Sequence, residues 1–444
     1  MARRRAGFFY EEASMTTPVY GIIFNRDNTD PRPAQASDLS VIGLVLPGDD
    51  ADETVFPLNE PVDFNTGDPA YLAKLGSGDL MRAVIAIDDQ LADLQTSARV
   101  VAVRVAQGED DAETISNIIG SRTATTAAGH VGTGLYALLR SGSQLGVIPR
   151  LLGCPGYTWQ TSIVGGEVQA NPICAALPSI CSELLAHAIV GGPGAGPTDT
   201  QAWFETLTSG RLIAVDAWRR VREGTGSRLE DGVAAILGIG ARVDFRHGGY
   251  PFHSFSGQQV QGTLGLKNYY PFSLVDGATA GQEMLALHVG VIARGEAGVE
   301  TAIASNGFVF AGVWNADPDP LWHFYNKSRG RDWAHLALLK SIRLRLGVEN
   351  VTPHGVQAVL NDMVAIGQNL INNQCSVGFK VGFEADKNSP DDLRQGKFRV
   401  YFATEEPAPI TQVTIDSRPN YAALVAELGT LVAQAATLPA QYLQ

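Results

Sequence analysis

The sequence predicts an α/β protein: a region built on a mostly parallel sheet with β insertions, followed by a C-terminal α+β region. Two observations carry that prediction. Between Leu39 and Asp216, short β-branched runs alternate with helical stretches. After Ser376, apolar side chains recur at every second position, the mark of a half-exposed sheet.

In chain order, residues 16–24 (TTPVYGIIF) form an isolated strand, and a polar, turn-rich link follows it. A lone strand leaves a row of unpaired backbone groups, so it must join a sheet on its own chain or on a neighbour. Leu39–Leu46 is an apolar strand. Ala70–Leu75 and Asp79–Leu91 are helical. Arg99–Val105 (RVVAVRV) is a near-continuous β-branched run, as expected of a strand buried on both faces. Gly134–Arg140 is helical, Ile148–Leu152 is a strand, Pro172–Val190 reads as one long apolar helix, and Arg211–Asp216 is a strand. From Val233 to about Trp314 the pattern is mixed, with many glycines and several short strands.

The character changes after Pro320. Asp332–Leu346 and Val356–Gln374 read as amphipathic helices. Ser376–Ala385, Lys397–Ala403 and Ile410–Asp416 read as strands, and Tyr421–Ala436 as a final helix. These transitions divide the chain into an arm over 1–30, an α/β region over 31–320, a C-terminal region over 321–409, and a second arm with a tail helix over 410–444.

Composition excludes several classes. With 444 residues, about three domains are expected at roughly 150 residues each, or two plus arms. Hydrophobic residues make up 45% of the chain, so it has the means to build a large core. A net charge of -13 argues against a surface that grips nucleic acid or an acidic membrane throughout, and leaves room for a local basic patch. No run of about 18 apolar residues exists, so no membrane insertion is expected. The apolar run near Phe8 is too short for a secretory signal, and residues 1–14 read as an extension ahead of Met15.

Motifs for chemistry are missing. The glycines of Gly191–Gly196 are not followed by the lysine and hydroxyl that a phosphate loop requires. Gly132 and Gly134 do not open a full dinucleotide fingerprint. No HExxH or GxSxG is present, the eight histidines are scattered, and no cofactor or metal is called for. The one enzyme reading left is a ligand site at the strand ends near 106–134 or 153–157. Cys154, Cys174, Cys181 and Cys375 show no CxxC spacing. They read either as four buried thiols made in a reducing compartment or as partners in disulfides formed later in an oxidising medium.

A succession of motifs then resembles a known family. It includes Ser40-Val41-Ile42-Gly43-Leu44-Val45, Phe56-Pro57-Leu58-Asn59 with Pro61-Val62, and Ile87-Asp88-Asp89-Gln90. Thr133–Leu138, Pro149–Gly156, Asn306–Asn315, Trp322–Arg329, Asp392–Val400 and Pro407–Ile410 follow in order. In order and spacing this resembles the tail sheath proteins of contractile phages and related injection machines, over roughly 16–435. The match is loose around Arg246–Pro251.

The resemblance implies a virion tail component without enzymatic activity, assembled in the host cytoplasm. It implies a helical homopolymer of stacked, hexameric rings around an inner tail tube protein, with baseplate and tail terminator partners and no direct nucleic-acid contact. Contraction would drive the tube through a target envelope. It also makes the 31–320 region the outer and central domain, and has the C-terminal domain share a sheet with arms of neighbouring subunits. On this reading Val19, Tyr20, Ile22, Ile23 and Phe24, and Ile410, Val413 and Ile415, are exchanged strands received by 376–385 and 397–403. A nine-residue strand spans about 30 Å, enough to cross into an adjacent subunit; the alternative is that 16–24 pairs within its own chain. Lys327–Arg345 holds six cations against one acid, Asp332, and Lys340 and Arg343 lie off the stripe of Leu338, Leu339, Ile342 and Leu346. They are expected to face an acidic tube, the alternative being an ordinary solvated helix face. The four cysteines are eligible for intersubunit disulfides. A non-contractile scaffold that polymerises by the same exchange is a third reading.

Overall fold

The computed structural model describes residues 38–48 and 50–436. The expected strand at 16–24, with Val19–Phe24, lies outside the described residues.

The first half of the chain lays down β1 (Ile42–Pro47), β2 (Pro61–Asn65), α1 (Pro69–Leu72), α2 (Asp79–Asp88), β3 (Arg99–Val105), α3 (Asp111–Ile119), α4 (Ser141–Gln144) and β4 (Leu151–Gly153). The hairpin β5 (Ser162–Val164) and β6 (Glu167–Gln169) follows, then α5 (Pro172–Leu184), β7 (His187–Gly191), α6 (Pro197–Phe204) and β8 (Leu212–Asp216). Next come β9 (Arg219–Glu223), β10 (Gly226–Glu230), α7 (Val233–Arg246), β11 (Gln258–Gln259), β12 (Thr263–Leu266), α8 (Ala280–Ala286), β13 (Gly290–Arg294) and β14 (Phe308–Ala311).

Nine of these strands form one sheet in the order β11-β14-β13-β8-β7-β4-β1-β3-β2. The six from β3 to β13 are parallel, and the outer strands β2, β14 and β11 pair antiparallel. Every residue of β1, β7 and β8 is buried, which is why these strands read as continuous apolar runs. The order reverses at β1, since β3 lies on one side and β4 on the other. Right-handed crossovers therefore place α2 on one face and α3 and α5 on the other, and α7 packs against α2.

Two expectations need correction here. Pro172–Val190 is not one helix. Leu185 adopts a left-handed φ of 47°, the Ala186 amide donates to the Cys181 carbonyl at 2.8 Å, and the apolar run continues as β7. A buried strand and a buried helix share one signature, so hydropathy did not mark the break. The mixed reading after Val233 is also wrong at its start, because Val233–Arg246 is a helix, α7, buried nearly all round. Its glycines are contact points: a Cβ at Gly238 would stand 2.6 Å from the Ile87 carbonyl oxygen of α2. Helix α3 was not among the expected elements; it buries Ile115 and Ile118, and Asp110 caps it by accepting from the Glu113 amide at 2.8 Å. Gly134–Arg140 is helical as expected, in the tighter 3-10 form.

The C-terminal region contributes α9 (Tyr325–Ile342), α10 (Pro353–Asn372), β15 (Gly378–Phe383), α11 (Pro390–Arg394) and β16 (Val400–Glu405). It has its own small core of Trp333, Ala334, Leu336, Ala337, Ile366 and Leu370, with Leu39 and Phe252 from the earlier chain. Helix α9 begins seven residues before the expected Asp332 because its first two turns bury Tyr325, Asn326, Lys327 and Arg329 through polar contacts, which hydropathy cannot show. It meets the amino ends of the parallel strands: Ser328 Oγ is 3.0 Å from His187 Nε2, and Asp332 accepts from Arg211 Nη2 at 3.1 Å. The chain up to Pro407 forms one compact unit, and 408–436, with α12 (Tyr421–Ala436), belongs to a second.

Candidate assembly surfaces

Strands β15 and β16 pair antiparallel from Gly378↔Glu405 to Phe383↔Val400, and among the described residues no third strand joins them. The pair is fixed on one face. Phe379 lies over Gly367 of α10, where a Cβ would come within 2.4 Å of the ring, and it stacks on Phe402 at 6.4 Å. Gly382 makes room for Tyr401 across the strands, its virtual Cβ being 2.5 Å from that ring. Ser376 Oγ and Thr404 Oγ1 share a hydrogen bond of 2.7 Å. Packing thus holds the face of the sheet, while among the described residues no strand covers either outer edge.

The chain leaves this sheet through a clamp that hydropathy did not reveal. Arg331 grips the carboxylate of Glu406 with bonds of 2.8 and 2.7 Å and donates to the Thr404 carbonyl at 2.7 Å. Lys327 pairs with Glu405 at 3.0 Å, and Asn326 donates to the Pro407 carbonyl at 3.2 Å. Glu406 is buried, so the bidentate pair is shielded and fixes the last residues before Ala408. The readable signal was Lys327 and Arg331, four apart on one helix face, against the acid pair Glu405-Glu406. Beyond the clamp, Ile410, Val413 and Ile415 are exposed at 85%, 70% and 83%, and 406–420 has no regular secondary structure. Ile410–Asp416 therefore forms no strand among the described residues, contrary to its pattern. In α12, Leu424, Val425, Leu428, Leu431 and Val432 are exposed.

The basic run on α9 is largely neutralised. Lys327 and Arg331 serve the clamp, Arg329 pairs with Asp244 at 2.5 Å, and Arg345 pairs with Asp362 at 2.7 Å. Arg343 is exposed at the helix end. Lys340 is half-buried, and that burial, with Arg343 and Arg150 nearby, lowers its ammonium below the usual lysine range. The expected apolar stripe is corrected too: Leu339 and Leu346 are exposed, and the core contacts come from Trp333, Ala334, Leu336 and Ala337.

All four cysteines are free thiols enclosed by their own chain. Cys154, Cys174 and Cys181 lie in the large core and Cys375 in the small one. Burial pushes Cys174, Cys181 and Cys375 up to about 12, and Cys154 higher still. This corrects the expectation of intersubunit disulfides, because a thiol walled in by its own core does not reach a neighbour and is not a thiolate.

The strand ends near 153–157 border a cleft of about 320 Å³ that includes Tyr157, Trp159 and Trp218. Its arginines are already used, Arg82 by Asp79 and Glu223, and Arg228 by Glu223 and Glu230. Asp231, buried beside it, accepts from the amides of Gly156 and Val233 at 3.1 Å each, and burial raises its pKa to about 6. Ser328, His187 and Asp332 line up like a hydrolase triad, with Nδ1 3.7 Å from Asp332. His187 is buried, and desolvation holds it well below its ordinary pKa, while Asp332 is committed to Arg211. That cluster is the joint between sheet and α9.

No family model matches the chain. It is 25% identical to the tail sheath protein of Escherichia phage P2 over 411 residues, covering 90% of this chain and 95% of that one. It is 30% identical to the major tail sheath protein of Serratia phage KSP20 over 403 residues, covering 88% and 92%. Among solved structures, the contracted PVC sheath complex of an extracellular contractile injection system superposes with a TM-score of 0.63 at 11% identity, covering 92% of this chain and 100% of that one.

Proposed function

The chain belongs to the tail sheath family of contractile phage tails, and on that premise we propose that its subunits are joined by exchanged strands added to the β15–β16 sheet of neighbouring copies. The protein is a structural sheath subunit, a component of the particle's tail rather than an enzyme. The observation that carries the exchange is the clamp at Glu405–Pro407. It anchors one end of an exposed segment that carries the apolar residues Ile410, Val413 and Ile415, and the β15–β16 sheet has no third strand among the described residues.

Backbone hydrogen bonds along such an edge would hold copies together while each compact unit moves as a rigid body on its linker. Val19–Phe24 supplies the second exchanged strand in this reading. The ring is hexameric and surrounds a tube protein, with Lys340 and Arg343 turned to an acidic tube surface. Baseplate and terminator cap the polymer, and assembly takes place in the host cytoplasm.

Val413→Pro removes one backbone donor from the exchanged strand without touching the compact unit. The variant is expected to remain a folded monomer that forms no tubes by negative-stain microscopy. Tubes as long and regular as those of the unchanged protein would refute the exchange.

A further inference from the structure

The carboxyl ends of the parallel strands point away from α9, because α9 meets their amino ends at His187 and Arg211. Two features stand at that far end. The first is a knob. Hairpin β5–β6 follows the end of β4 and turns through Gly165 and Gly166, at φ of 64° and 90°. Its tip residues Ile163 and Val164 are exposed at 73% and 64%, an apolar surface that two three-residue strands cannot bury by themselves. The second is a groove of about 640 Å³, formed by Leu264, Leu266, Tyr269, Arg294 and Phe308 where β12 faces the end of β13 and the start of β14. The hairpin takes no part in lining it.

The two features are complementary in shape and in charge. The knob is apolar and convex, and the groove offers two leucines and two aromatic rings. Glu167 is exposed at the hairpin and forms no ion pair among the described residues. Arg294 is exposed at the groove and likewise has no carboxylate partner among them. Their places on the sheet differ, β4 being separated from β13 by β7 and β8. A contact between them is head-to-tail, the kind that builds open helical arrays rather than closed pairs.

We propose that the Ile163–Val164 tip of one copy seats in the Leu264–Phe308 groove of a neighbouring copy, with Glu167 set against Arg294. This second contact between copies lies at the end of the subunit farthest from α9, and it rests on the sheath reading above. It stiffens the array where strand exchange cannot reach.

The test uses full-length Ile163→Cys and Leu264→Cys variants, whose native thiols are buried and silent. The two are mixed in equal amounts, assembled and oxidised. Disulfide-linked dimers are expected in the mixture and not with either variant alone. Adding Glu167→Arg to the first variant is expected to reduce bridging, and Arg294→Glu in the second to restore it. Bridges within Ile163→Cys alone would mean a symmetric tip-to-tip contact and overturn the proposal. No mixed bridge, under conditions where tubes form, overturns it and leaves strand exchange standing. A mixed bridge that survives Val413→Pro supports the groove contact even if strand exchange fails.

Discussion

Asp244→Asn is the sharpest test of how the sheet region is tied to α9. Asp244 on α7 and Arg329 on α9 are 0% and 1% exposed, joined by bonds of 2.5 and 3.2 Å. Burial raises the Asp244 pKa even with Arg329 beside it, so desolvation of this pair is not a minor cost. The arginine also donates to the Leu39 carbonyl at 3.4 Å and stands 5.0 Å from the centre of the Phe255 ring. Removing one charge strands the other in a dry joint, which costs roughly 3–5 kcal/mol. Replacing both with apolar groups removes the stranded charge, so Asp244→Leu with Arg329→Met should cost only about 1–2 kcal/mol for the lost carbonyl bond and ring contact. Urea unfolding of the compact unit, followed by tryptophan fluorescence, reads both values from midpoint shifts at constant slope. A single variant that loses less than about 1 kcal/mol would refute the reasoning, as would a double variant as unstable as the sum of its singles.

Three further outcomes are expected. Asp231 is raised from 3.8 to about 6, so the folded state holds its proton more tightly than the unfolded state. Relative to Asp231→Asn, the unchanged protein should therefore lose roughly 2 kcal/mol of stability between pH 4 and pH 7, and a flat difference would exclude the shift. The four thiols should resist a water-soluble alkylating reagent until the protein is unfolded, and reductant should leave assembled tubes intact; rapid labelling of the native protein would contradict their burial. Gly238→Ala should destabilise despite a helix-propensity gain of about 1 kcal/mol, because the new Cβ meets backbone of α2 that cannot move aside. A stabilised variant would show that α2 and α7 are less closely packed.

The sequence disclosed those elements whose burial is one-sided or complete in a simple period. Arg99–Val105 is β3 with the expected limits, and Phe379, Val381 and Phe383 alternate within β15. It hid elements in which one apolar run serves two structures, as where α5 hands over to β7 at Leu185. It also hid α7, whose glycines imitate loops because close helix contact needs them. The assembly surfaces were half legible. Ile410, Val413 and Ile415 showed a strand pattern, and among the described residues that segment has no regular secondary structure. The Arg331–Glu406 clamp depends on residues 75 apart, a pairing that no local period encodes. The basic run misled for the same reason: it showed Lys327, Arg329 and Arg331 but not the distant acids that neutralise them.

Strand exchange is tested most directly by hydrogen exchange at the amides of residues 408–416, measured in monomer and in assembled tubes. Unpaired in the monomer, these amides should exchange at the rate of an unstructured peptide. In tubes, addition to a neighbour's sheet should slow alternate amides by at least about a hundredfold, equivalent to roughly 3 kcal/mol of protection. Equal, fast exchange in both states would contradict the account, because copies would then be joined without these strands.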